Sequence, residues 1–179
     1  MTAIQFVTKL QELAPSKEEL VNSGVTEAGA DRMIKNYIGI ESSNVSLIGS
    51  NELVDLINNF NLSTVEVRLI TFNGKVTEDS SYYFVGKVEV DHLVVNKVTN
   101  AVEVLDFDDL QNKLWSCAAN ASQFLDALIL CASFSKQCMF DDDLWENSDI
   151  ILKTALEISE VAGGEEVYEE FYKMLLGYF

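Results

Sequence analysis

Residues 82–134 constrain the fold most. They read YYFVGKVEVDHLVVNKVTNAVEVLDFDDLQNKLWSCAANASQFLDALILCASF. Segments 82–90, 92–96 and 101–105 are rich in β-branched and aromatic residues, the composition of paired strands. The connection Val98-Thr99-Asn100-Ala101 suits a hairpin in which Asn100 takes the left-handed conformation that asparagine tolerates. Asp108 with Gln111 predicts a capped short helix to about Trp115. Asn120 then caps a helix over 121–135, where Phe124, Leu125, Leu128, Ile129, Cys131 and Ala132 leave little polar surface. A helix that apolar has to be buried against the strands that precede it.

The flanks are mostly helical. Ile4, Val7 and Leu10 recur at helical spacing and Pro15 ends that run. Ser16 with Glu19 forms a capping-box pattern for a short helix stopping near Gly24. Thr26 caps a third helix, through Met33, Ile34, Tyr37 and Ile38 to Gly39. The segment IGIESSNVSLIGS alternates like a strand or irregular edge. Ser50 or Asn51 caps a helix with Leu53, Val54, Leu56, Ile57 and Phe60 inward. Residues 64–72 switch to period two, one strand ended by a turn at Asn73-Gly74 and followed by the polar loop TEDSS. After Phe140, Asp143 with Glu146 marks a helix start, and Ile151, Leu152, Ala155, Leu156 and Ala162 form a stripe closed by Gly163-Gly164. Val167, Phe171, Met174 and Tyr178 mark the last helix, with Glu165 and Glu166 at its amino end.

With 179 residues, 48% hydrophobic, the chain can bury one substantial core. A single proline and no flexible linker argue for one domain over 1–179, with a sheet core at about 64–135 and acidic helices at about 141–179. The amino terminus lacks a basic leader and apolar block, and the longest apolar run, 127–132, is too short to span a bilayer. Three cysteines without a CxxC pair fit neither a disulfide framework nor a zinc knuckle, so reduced thiols in a cytoplasmic protein are expected.

An enzyme needs a nucleophile, an acid/base pair, a metal cluster or a cofactor cradle. The one histidine, His92, lies in a strand and supports no triad with a second imidazole. Neither GxGxxG nor GxxxxGK[ST] occurs. Asp106, Asp108 and Asp109, or Asp141, Asp142 and Asp143, have the chemistry for a divalent cation, but neither run matches an EF-hand loop, and capping or solvated surface explains them better. Cys117, Cys131 and Cys138 read as small core residues. The expectation is a protein that is not an enzyme and uses no cofactor or metal.

The strand with Phe84-Val85-Gly86, the strand ending in Val94-Val95, the turn at Thr99-Asn100 followed by Val102, and the helix start Asn120-Ala121-Ser122-Gln123-Phe124-Leu125 together resemble the SUKH superfamily. Asn100 stands where the family often has glycine, and the N-terminal Leu-Pro and Asn-Gly-Gly features of several branches are missing. The resemblance therefore points to a divergent branch and covers about a third of the chain. It implies an α+β fold whose mixed, mostly antiparallel sheet is flanked by helices. It also implies a bacterial immunity protein, held in the cytoplasm, that binds and neutralises a cognate protein toxin, frequently a nuclease. The competing expectation is a non-catalytic regulatory or scaffolding adaptor of the same fold.

The net charge of −17 speaks against nucleic acid or an anionic membrane as a direct partner and toward a basic protein. From 141 onward there are eleven acidic and two basic residues, making this end the densest in charge. The candidate partner-binding residues are Asp106, Asp108 and Asp109, then Asp141, Asp142, Asp143 and Glu146, then Glu165, Glu166, Glu169 and Glu170.

Overall fold

The computed structural model describes residues 1–38, 40–41 and 51–178. Three short helices open the chain. In α1 (Ala3–Leu13) Thr2 and Gln5 form a capping box, and Ser16 and Glu19 do the same for α2 (Lys17–Asn22). Thr26 caps α3 (Glu27–Lys35), which ends ahead of Gly39, a residue outside those described. The stretch expected to be a strand or irregular edge also lies largely outside them. Within it, β1 (Ile40–Glu41) pairs antiparallel with β2 (Phe60–Asn61). Asn51 caps α4 (Glu52–Asn59), its side chain accepting from the N–H groups of Leu53 and Val54.

The α+β expectation holds, and the main sheet is simpler than a mixed one. Its six strands are β3 (Glu66–Val67), β4 (Ile70–Glu78), β5 (Tyr82–Val88), β6 (Asp91–Asn96), β7 (Val102–Leu105) and β8 (Lys113–Ala118). They lie in sequence order with every neighbour antiparallel. Such a meander needs only short connections.

The strands depart from the sequence expectation in three places. The single strand expected over 64–72 is a hairpin: Val67 pairs with Ile70, and the turn consists of Arg68 and Leu69. Asn73-Gly74 does not turn the chain. It sits inside β4, where the register with β5 shifts between Phe72 and Thr77, and the Asn73 side chain donates to the Phe84 carbonyl. That irregularity absorbs the glycine as a bulge. The real turn comes at Asp79, whose carboxylate accepts the N–H groups of Ser81 and Tyr82 and is held below the usual carboxylate range by those bonds. Third, the helix expected from Asp108 to Trp115 is a turn followed by β8. Asp106 and Asp109 bond locally to the N–H groups of Asp108 and Gln111, giving those donors a partner other than a helix. Ladder pairing with β7 then claims residues 113–118.

Asn120 caps α5 (Ala121–Cys138), as its position suggested, by accepting from the Gln123 N–H at 3.0 Å. Phe124, Leu125, Leu128 and Cys131 on this helix are fully buried with Leu93, Val95, Val102, Val104 and Cys117 of the sheet. Asp141, rather than Asp143, caps the short α6 (Asp142–Glu146), and Asn147 caps α7 (Ser148–Ala162). After Gly163-Gly164 comes α8 (Glu166–Leu176). Tyr172 of α8 is fully buried and its hydroxyl donates to the Cys117 carbonyl at 2.9 Å, and Ala119 N–H donates to the Ala162 carbonyl. These two bonds fasten the C-terminal helices to the end of β8. Among the described residues no helix is long and apolar enough to cross a membrane.

Candidate functional site

The acidic residues singled out by sequence fall on three separate elements. Asp106, Asp108 and Asp109 form the β7–β8 turn. Two of them have structural duties: Asp106 accepts from the Asp108 N–H and the Asn112 side chain, and Asp109 from the Gln111 N–H. Interleaved with them, Phe107 is 54% and Leu110 37% exposed. Apolar side chains surrounded by carboxylates on a turn are the composition of a contact patch with a polar rim.

The sheet surface beside this turn is partly apolar. Val94 and Leu105 are fully buried but stand apart from the main core, whereas their strand neighbours Leu93, Val95, Val102 and Val104 belong to it. Phe84 and His92 meet edge to face at 5.4 Å between ring centres, and Val94 pairs with Phe84 on one side and Glu103 on the other. Glu103 is nearly buried, with the Lys113 ammonium 3.4 Å away.

Asp141, Asp142, Asp143 and Glu146 lie between α5 and α7. Asp141 spends an oxygen on the Asp143 N–H. Asp143, Glu146 and Asp149 line an open, shallow hollow. Glu165, Glu166 and Glu169 occupy the start of α8, where the helix dipole favours them, and Glu170 follows just beyond the first turn. Glu169 and Glu170 share Lys173, at 3.1 and 2.8 Å, so part of that charge is already met. The other nine candidates make no ion pair within 4 Å among the described residues.

The thiols offer little nucleophilicity. Burial pushes the Cys131 thiol up to about 12 and the Cys117 thiol well above its ordinary range, so both stay protonated at neutral pH. Cys138, half-buried, is also raised by desolvation. Among the described residues no three His, Cys, Asp or Glu side chains come together as metal ligands.

One cavity was not foreseen. Tyr37, Glu66, Arg68, Cys138, Asp142 and Trp145 are among the residues lining a cleft of about 510 Å³ between the β3–β4 turn, α3 and the α5–α6 corner. Arg68 enters it from the hairpin turn with φ +57°, and its guanidinium carbon lies 4.5 Å from the centre of the Trp145 ring and 5.8 Å from that of Phe134. Its Nε and one terminal nitrogen are buried without a hydrogen-bond partner among the described residues, and burial lowers its pKa. In the sequence, Arg68 looks like the polar side of an alternating strand. Only the unexpected turn brings it inward.

No protein-family model matches the chain, and neither a curated protein nor a solved structure shows significant similarity to it.

Proposed function

We propose that this chain is a non-catalytic binding module that neutralises a basic protein by direct contact, in the manner of the immunity proteins the SUKH resemblance suggests. The observation that carries this reading is the β7–β8 turn, where exposed Phe107 and Leu110 alternate with carboxylates that make no ion pair among the described residues. An apolar anchor within an acidic ring suits a surface rich in lysine and arginine. The anchor supplies buried area and the ring supplies orientation and encounter rate. A nuclease toxin is a fitting partner class, because a surface that binds phosphates is basic and an acidic protein can cover it. The uncompensated carboxylates at 141–146 add to the same field from a different element.

The test is co-expression with any secreted toxic domain that a neighbouring reading frame proves to encode. Rescue by the wild type, lost in the Phe107→Ala/Leu110→Ala double variant while that variant keeps its thermal stability, supports the reading. Growth arrest that the wild type fails to relieve removes toxin neutralisation. In that case a pull-down of a cellular protein dependent on Phe107 would move the assignment to an adaptor.

A further inference from the structure

The cleft around Arg68 holds opposite charges that do not meet. Glu66, Asp142 and Glu146 line it together with Arg68, yet none of the three comes within 4 Å of the guanidinium. Exposed Arg32 also lacks a carboxylate within 4 Å among the described residues, but water solvates it, whereas two nitrogens of Arg68 are buried without a hydrogen-bond partner there. The hairpin turn and the flanking Trp145 and Phe134 rings keep Arg68 away from a carboxylate. The turn does so in an unfavourable backbone conformation, since a long side chain at φ +57° is strained and glycine would fit without cost. Tyr37, itself 5% exposed, brings a hydroxyl to the same wall, for which no hydrogen bond is made among the described residues. A strained, half-buried cation with two unsatisfied nitrogens costs stability, which strain at ligand sites typically accompanies.

We propose that this cleft binds a small zwitterion of the α-amino acid type, its carboxylate seated on Arg68 and its ammonium group facing Glu66, Asp142 and Glu146. The planar guanidinium matches a carboxylate in a two-pronged geometry that a lysine could not offer. A doubly charged phosphate would meet three carboxylates in the same cleft and the field of a −17 chain. A simple amine would leave Arg68 unpaired. A molecule carrying both charges satisfies both walls, and a volume of about 510 Å³ is in the range of small-ligand sites. The contact is independent of the β7–β8 turn, so a variant that loses one function keeps the other.

The experiment titrates the full chain with L-lysine, following the Trp145 indole N–H by NMR and the affinity by calorimetry. Cadaverine, which lacks only the carboxylate, sodium hexanoate, which lacks both amines, and inorganic phosphate are run beside it. The expected result is saturable L-lysine binding that perturbs Trp145, with the other three probes weaker by roughly tenfold or more. Arg68→Lys should weaken L-lysine by roughly tenfold, and Arg68→Gly should abolish its binding while the melting temperature holds or rises. Should Arg68→Gly fail to fold, Arg68→Lys and the Asp142→Asn/Glu146→Gln pair carry the test, each expected to weaken L-lysine. Absence of a saturable response at Trp145 overturns the proposal. So does hexanoate, cadaverine or phosphate binding as tightly as L-lysine, which would make the cleft an anion or a cation site instead.

Discussion

Gly86 shows how much a single residue can fix. A β-carbon built there would sit 2.3 Å from the carbonyl oxygen of Thr71 on the neighbouring strand, a backbone atom that cannot swing aside. The close approach of β4 and β5 therefore requires glycine, and Gly86→Ala should cost about 3 kcal/mol, read as a lower denaturation midpoint with an unchanged slope. The buried thiols set a second constraint. Cys131 is raised from 9.0 to about 12 by desolvation, so the folded state holds a proton that the unfolded chain releases at lower pH. Its contribution is complete below pH 9 and is lost as pH climbs toward 12, at most about 4 kcal/mol by the linkage relation. Fully buried Cys117 and Tyr172 are raised in the same direction by the same cause. Chemical denaturation from pH 8 to 11 should show stability falling progressively, and Cys131→Ala should flatten that fall.

At the scale of elements, the β6–β7 connection tests whether a left-handed residue can be read from sequence. Asn100 has φ +63°, its N–H donates to the Asn96 carbonyl, and the Asn96 side chain accepts from the Val98 and Thr99 N–H groups. Asn100→Ala should destabilise by about 1 kcal/mol, and Asn100→Gly should at least restore wild-type stability, both measured by thermal unfolding. This turn was legible because asparagine in a left-handed position has a local cause. Caps at Ser16, Thr26, Asn51 and Asn120 were legible for the same reason, since each depends on a side chain and a neighbouring N–H. What stayed hidden either carried a misleading local signal or depends on partners distant in the chain. Arg68 occupies a turn position that local chemistry would give to glycine, so alternation from Val65 to Phe72 hid the hairpin. The Asp108 and Gln111 pattern resembled a cap because the pairing of Val104 with Trp115 and Leu105 with Lys113, which decides for strand, lies outside the segment. The Arg68 cleft was out of reach for both reasons together. It needs the hairpin and the packing of Trp145, from opposite halves of the chain, against one side chain.

At the scale of the whole molecule, charge has two separable consequences. Twelve lysines and arginines against twenty-nine acidic residues leave a net charge of −17. The ion pairs that form, such as Lys17 with Asp31 and Lys173 with Glu170, lie at the surface and contribute little each. Most of the field therefore reaches the solvent, where it repels itself and attracts cations. Salt screens both effects over a distance that shrinks from about 30 Å at 0.01 M to about 8 Å at 0.15 M. The isolated protein should gain thermal stability as sodium chloride is raised, because self-repulsion in the compact state is screened. Association with a basic partner should move the other way, with its rate falling by roughly 10- to 100-fold across that salt range while the dissociation rate changes far less. Stopped-flow association and thermal melts on one salt series separate the two. A rate that ignores salt while the melting temperature climbs would mean that the charge keeps the chain soluble and plays no part in finding the partner, leaving recognition to Phe107 and Leu110. A rate that falls with salt and is further reduced by Asp108→Asn would place the steering carboxylates at the β7–β8 turn, and one reduced only by changes at 141–146 would place them beside α6.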